Sequence, residues 1–274
     1  MKKYFYILFF LFFLKTTFSQ SLLSQKDYAD SLFVAENYYD AVTEYKRLLF
    51  FSQTNEYNYS AFYNIALSYK AGGLYNEAIR YFRKAEQNAS VQKDSINCNL
   101  QIIRCNILRR TIPEAFILLD KLQKTYNVDS NILYYWRGWA YMFDNKWDSA
   151  SNEFMKINKK HELKILADSI YAEQYSVAFA KVVSFIIPGA GQFYTGNYFS
   201  GFLSLGWNVL WGYMTIHAFL TDRALEGILM GGLLWARFYR GNFQNAEKFA
   251  IQKNVEIADK GYEYLAKTYK GEKP

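Results

Sequence analysis

Four alanines, Ala41, Ala78, Ala115 and Ala150, recur along this chain at spacings of 37, 37 and 35 residues. Each closes a short motif ("YYDA", "YNEA", "IPEA", "WDSA") of one bulky residue, two mostly polar residues and Ala. A period near 35 points to stacked helical hairpins, because a unit of that length holds two helices and cannot bury its apolar face alone. Twelve positions before each Ala stand Ala29, Ala66, Ile103 and Gly138. Three of these four pairs are small on both sides, which lets two antiparallel helices approach closely. Four residues after each Ala, on the same helix face, come Tyr45, Phe82, Leu119 and Phe154. With 3 Pro against 25 Tyr and 23 Phe in 274 residues, long helices are favoured over strands and turns. The expected fold class is all-α.

The second repeat, "AFYNIALSYKAGGLYNEAIRYFRKA", sets Phe62, Ile65, Ala66, Tyr69, Tyr75, Ala78, Phe82 and Ala85 in a small–small–aromatic order. The fourth does so through Tyr134, Gly138, Tyr141, Trp147 and Ala150. On these residues the chain resembles the tetratricopeptide repeat, over about residues 22–160. The first and third copies depart from that pattern, with Asn99 and Asn106 at positions where it expects bulk, and no copy ends in the usual Pro. The resemblance implies a helical solenoid whose first helices line a groove. Its groove positions fall on Tyr63, Lys70, Arg104, Tyr135 and Trp139. Aromatic anchors beside cations suit a peptide or helix from a protein partner. The competing reading packs Tyr135 and Trp139 on the next helix. Either way such a module binds or props and does not catalyse.

Residues 1–20 read as a signal peptide. Lys2 and Lys3 precede the apolar core Tyr4–Leu14, and Thr17-x-Ser19 offers a small-residue cleavage site. Eleven apolar residues are short for a span, so removal is expected. That segment holds Lys2, Lys3 and Lys15, three of the net +7 charges. The remaining +4 gives little reason to expect a nucleic-acid partner. Cys98 and Cys105 are seven apart, roughly 10 Å along a helix axis. They are expected to stay unbonded, as buried small hydrophobes.

From Gln174 to Thr221 the only formal charge is Lys181. Phe199–Leu220 has no charge and the length of a transmembrane helix, with Trp207, Trp211 and Tyr213 for an interface. A second arm, Ala224–Tyr239, follows the turn "TDRALE" and contains Gly227-x-x-x-Gly231, a close-approach spacing. Tyr175–Ile187 is shorter and suits an interfacial or re-entrant segment. The frame Phe-Tyr-x-Gly-Asn-aromatic occurs twice, at 193–198 and 238–243.

Both copies are read as marking one membrane face. Phe193, Tyr194, Phe238 and Tyr239 are expected in the headgroup region, with left-handed turns at Gly196-Asn197 and Gly241-Asn242. Pro188, Gly189 and Gly191 would break the chain before the hairpin. The segment "PGAGQFYTGNYFSG" resembles small bacterial membrane domains with a Gly-rich turn before two short transmembrane helices, which implies membrane attachment and no defined reaction. Arg237, Arg240, Lys248, Lys253, Lys260 and Lys267 favour a cytoplasmic tail by the positive-inside rule and hence a third span. The shortness of 175–187 favours two spans with the tail outside.

The expected organisation is a signal peptide (1–20), a solenoid (21–170), a membrane-associated helical hairpin domain (171–254) and a basic tail (255–274). The expected function is a non-enzymatic scaffold tethered to a bacterial inner membrane, with its solenoid in the periplasm. Its partners would be a protein or peptide and the lipid bilayer, with self-association open and no cofactor or metal. His161 sits in a charged run and reads as solvated, and His217, with Asn208 two and a half turns away on the same helix, reads as making a polar contact across the hairpin and not as a ligand. The alternative is a soluble periplasmic peptide-binding solenoid whose apolar C-terminal helices form a core or an oligomer interface.

Overall fold

A computed structural model describes residues 21–274, so the expected signal peptide lies outside the described residues. Those residues are helical and contain no strand. They divide into two compact units, one running to Asp144 and the other from Asn145 to Lys273.

The first unit contains α1 (Leu22–Val34), α2 (Tyr38–Phe51), α3 (Asn58–Ala71), α4 (Tyr75–Gln87), α5 (Gln92–Leu108), α6 (Ile112–Tyr126) and α7 (Ser130–Phe143). Each helix packs on the next in chain order, and α5 also meets α7. The repeat positions explain this stacking. Ala29, Ala41, Ala66, Ala78, Ile103 and Ala115 are fully buried, as are Phe82 and Leu119, and Tyr45 nearly so. The two asparagines that break the repeat pattern are buried as well, and both are satisfied. Asn99 donates to Glu86 Oε1 at 2.6 Å and to the Ser95 carbonyl at 2.9 Å. Asn106 donates to the Ile102 carbonyl, while its Oδ1 accepts from Arg109 and from Thr111 Oγ1. It thereby pins the turn that follows α5.

The links inside the successive helical hairpins share one backbone solution. Glu36, Gly73, Arg110 and Asn145 all have φ near +60° to +72°. The next residue donates its N–H back five positions, Asn37 to Leu32, Leu74 to Tyr69 and Thr111 to Asn106, each at 2.9 Å. This is the Schellman ending, which satisfies carbonyls that a helix terminus leaves orphaned. Among these four left-handed positions only Gly73 is the residue type that adopts it without strain.

The second unit contains α8 (Trp147–Ile157), α9 (Glu162–Glu173), α10 (Val177–Ile186), α11 (Ala190–Tyr194), α12 (Tyr198–Leu220), α13 (Ala224–Leu229), a π-helical segment (Met230–Trp235) and α14 (Ala236–Lys267). The repeat's last Ala and aromatic, Ala150 and Phe154, are fully buried here. Helix α14 organises the unit, packing on α9, α10, α11 and α12. Its first half buries Asn242, Ala246 and Ala250, and its second half Ile257, Ala258, Gly261 and Leu265. A Cβ at Gly261 would stand 2.8 Å from the Trp147 ring. Residues 255–267, read from sequence as the start of a basic tail, are therefore helix with a packed face.

Two expectations are corrected. Among the described residues no helix is long and apolar enough to cross a membrane. Helix α12 has the length, at 23 residues, but Asn208, Thr215, His217 and its serines and glycines dilute its apolar character. The second arm is broken into α13, the π segment and an α14 that carries Arg237 and Arg240. The second correction concerns the repeated frame. In the first copy Gly196 has φ +76° and Asn197 caps α12, with the same back-bond to Gln192, at 2.7 Å. The second copy, 238–243, lies inside α14 and makes no turn. Two identical frames thus adopt two conformations.

Candidate functional site

The five groove positions fall on α3, α5 and α7, the first helices of their pairs. Lys70 donates to Gln101 Oε1 at 2.9 Å, which links α3 to α5. The Arg104 guanidinium lies 4.9 Å over the Trp136 ring, which links α5 to α7. Tyr63 stacks on Tyr59 at 5.7 Å and meets Phe82 edge-on at 5.4 Å. Tyr135 is half-buried, edge-on to Trp136 and Trp139. Trp139, by contrast, is only 2% exposed and belongs to the core. Tyr63, Lys70, Arg104 and Tyr135 keep part of their surface open. Cys98 and Cys105 are free and buried. Burial, then Glu86 and Asp94, pushes the Cys98 thiol up to about 12, and burial lifts Cys105 to about 11. Neither thiol is poised to be a nucleophile.

In the second unit Gly189, Gly191 and Asn242 converge on a buried polar knot, while the Asn197 side chain bonds to Thr195 outside it. Asn242 on α14 accepts at Oδ1 from the Gly189 N–H (2.8 Å), Gln192 Nε2 (3.2 Å) and Ser204 Oγ (2.8 Å). Its Nδ2 donates to the Ser184 carbonyl at 2.5 Å, and Gln192 Nε2 also reaches the Asn242 carbonyl at 2.9 Å. Ser184 Oγ donates to Gln192 Oε1 at 3.1 Å and accepts from the Gly191 N–H at 2.7 Å. One carboxamide therefore ties α10, α11, α12 and α14 together. The glycines allow that approach. A Cβ on Gly189 (φ +92°) would lie 2.4 Å from the Gly201 carbonyl oxygen, and one on Gly191 would lie 2.2 Å from that of Ala180.

The aromatics of the two frames brace the same elements. The Tyr194 hydroxyl accepts from the Ser176 N–H at 3.1 Å, and the Tyr239 hydroxyl donates to the Phe185 carbonyl. Phe193 packs on Phe202, and Phe238 is parallel to Trp207 at 5.5 Å. Pro188 follows the end of α10, where the chain turns into α11. Gly241, like Asn242, is in mid-helix.

The outer surface of this region is the reverse of its interior. Between Val177 and Asn245 the buried hydrophobic side chains are Ala180 and Ala218, while Ser184, Gln192, Thr195, Asn208, Thr215 and Asn242 are buried polar ones. On α12 the buried positions are Gly201, Asn208, Gly212, Thr215 and Ala218. Its large side chains point outward, with Phe199 at 81% and Leu220 at 78% exposure. Val209, Leu210, Tyr213 and Ile216 are exposed too, as are Leu225, Ile228 and Leu233 across the hairpin. Close approach accounts for the glycines of the second arm: Gly227 faces the Phe219 ring and Gly231 faces Thr215. Charges gather at the ends, with an Arg223–Glu226 pair at the tip and a Lys181–Glu247 pair at 2.8 Å near the base.

A cleft of about 330 Å3 opens between α12 and α14, lined in part by Ser204, Trp207, Asn208, Arg237 and Phe238. Sequence reasoning passed over Ser184, Gln192 and Ser204, and noted Asn208 only as a neighbour of His217 along its helix. The available signal was that these are polar side chains inside an apolar block whose only formal charge is Lys181.

The two histidines differ from expectation. His161 caps α9, its Nδ1 accepting from the Leu163 N–H at 3.2 Å, and its ring lies flat on Phe154 at 5.2 Å. His217 is exposed beside Arg223 (3.4 Å) at the hairpin turn, and Asn208 Nδ2 donates to the Ser204 carbonyl within its own helix. Among the described residues no group of three or more His, Cys, Asp or Glu is placed to hold a metal ion. No known family model and no curated protein matches the chain.

Proposed function

We propose that this protein is a non-enzymatic, membrane-attached scaffold of the tetratricopeptide type. In this reading the first unit engages a protein or peptide partner, and the second seats its outer face in a lipid bilayer. The observation that carries the reading is the inverted packing of residues 177–245, with small and polar residues inside and Phe, Leu, Ile, Val and Trp outside. In water that run of exposed large apolar side chains would face solvent, which monomeric soluble proteins rarely allow over an extended patch. In lipid the same arrangement is favourable, because helix association there relies on small residues and internal hydrogen bonds. The charges at the tip and base of the hairpin are where a bilayer seat would leave them, in contact with headgroups. With a removable signal peptide, the attachment would be to the outer face of a bacterial inner membrane, and the proposed process is envelope or membrane-protein assembly.

The partner site of this proposal is the half-buried line Tyr63, Lys70, Arg104 and Tyr135. Flotation of the chain lacking residues 1–20 with phosphatidylcholine vesicles tests the seat. The wild type is expected to float, and Leu210→Glu with Ile216→Glu to sink while keeping its helix content. A wild type that stays at the bottom as a monomer or oligomer would overturn the reading. It would favour a soluble peptide-binding module whose apolar face meets a second copy.

A further inference from the structure

The cleft between α12 and α14 combines three kinds of recognition chemistry. Arg237 lines it and has no carboxylate partner among the described salt bridges, whereas Arg223 and Lys181 in the same unit are paired. Asn208 also lines it, is 5% exposed, and spends its Nδ2 on the Ser204 carbonyl. Its Oδ1 is a buried acceptor with no donor, and buried acceptors are seldom left so. One turn along α12 the Trp211 indole N–H is likewise buried without an acceptor. The third component is an aromatic shelf. The rings of Trp207, Trp211 and Phe238 lie within 15° of parallel, with centroids 5.5–6.4 Å apart. Leu203 extends that apolar wall.

We propose that this cleft is a binding site for one phospholipid headgroup whose phosphate is joined to a hydroxyl or ammonium donor, as in phosphatidylglycerol or phosphatidylethanolamine. Arg237 takes the phosphate, since a guanidinium offers paired N–H donors to phosphate oxygens. The headgroup hydroxyl or ammonium supplies the donor that Asn208 Oδ1 lacks. The glycerol backbone and first methylenes lie along Trp207, Phe238 and Leu203, a surface continuous with the exposed face of α12. Phosphatidylcholine carries the same phosphate but no donor, so it satisfies Arg237 and leaves Asn208 unpaired. The site rests on the bilayer seat proposed above, and a headgroup bound there would fix α14 against α12 beside the Asn242 knot.

The test uses the chain without residues 1–20 in a mild detergent. Short-chain phosphatidylglycerol, short-chain phosphatidylcholine and inorganic phosphate are titrated separately, with native mass spectrometry reading one-to-one adducts. Phosphatidylglycerol is expected to bind at least tenfold more tightly than phosphatidylcholine, and phosphate alone to give no adduct. Arg237→Gln should weaken the adducts of both lipids at least tenfold, whereas Arg240→Gln, three residues on and outside the cleft lining, should leave both unchanged. Asn208→Ala should narrow the gap between the two lipids. Equal binding of both lipids by the wild type, or equal loss with Arg237→Gln and Arg240→Gln, would overturn the site. Flotation with pure phosphatidylcholine vesicles separates the two claims. A chain that floats but shows no headgroup preference keeps the seat and loses the site, and a chain that does not float loses both.

Discussion

Trp139 shows what a single residue can hide from a sequence. The repeat pattern assigns it to an open groove, yet it is 2% exposed and packed with Tyr135 and Phe143. Groove and core positions on a helix differ by one residue, about 100° of rotation, so family spacing alone does not separate them. Trp139→Ala is therefore expected to cost about 3–5 kcal/mol, the usual range for truncating a buried Trp. Tyr135→Ala, at a half-buried position, should cost about 1 kcal/mol. Urea denaturation of both variants checks this, and equal small losses would return Trp139 to the groove. His161 carries a pH signature. Burial against Phe154 lowers its pKa below the ordinary 6.5, opposed weakly by Glu162. A depressed folded-state pKa means the unfolded chain binds the proton more readily. The stabilisation is present above pH 6.5 and is lost as pH falls from there through the lower folded value. His161→Asn, which can still cap α9, should melt with less pH dependence than the wild type between pH 7.5 and 5. Parallel melting curves for the two proteins would contradict the assignment.

At the scale of elements, the helices and their turns were legible because the repeat imposes one geometry many times. The shared left-handed link residue was not, since Glu36, Arg110 and Asn145 are not obvious choices for it. Tertiary repetition holds them there at a cost that glycine would avoid. Replacing Arg110 by Gly removes Cβ strain of roughly 1 kcal/mol, set against a loss of contacts from an exposed side chain. The variant is expected to be at least as stable as the wild type in a thermal melt, and destabilisation beyond about 1 kcal/mol would show that the Arg110 side chain outweighs its backbone strain. The duplicated aromatic-Gly-Asn frame is the opposite case. Gly196 turns the chain, while Gly241 continues α14, because the polar partners of Asn242 on α10, α11 and α12 reward a helix at that point. The two copies share the frame and differ at Thr195 against Arg240 and Tyr198 against Phe243, and the long-range hydrogen bonds of Asn242 hold the second copy in its helix.

For the whole molecule, the all-helical class and the change in character near residue 174 could be read from the chain, because charge depletion over 48 residues is a bulk property. What could not be read is that the apolar block packs its polar residues inward, since composition does not report which face of a helix meets its neighbour. That inversion carries the central claim that lipid covers the outer face of α12 and the hairpin. Nitroxide labels at Leu210, Ile216 and Ile228, with Ile117 of the first unit as an exposed reference, measure it directly in vesicle-reconstituted protein. Cys98 and Cys105 are buried and are expected to stay unlabelled. Power saturation should find the three hairpin positions open to oxygen and closed to a water-soluble nickel chelate, with Ile117 open to the chelate. Chelate access at all four sites, or hairpin positions shielded from both reagents by another protein surface, would contradict the account.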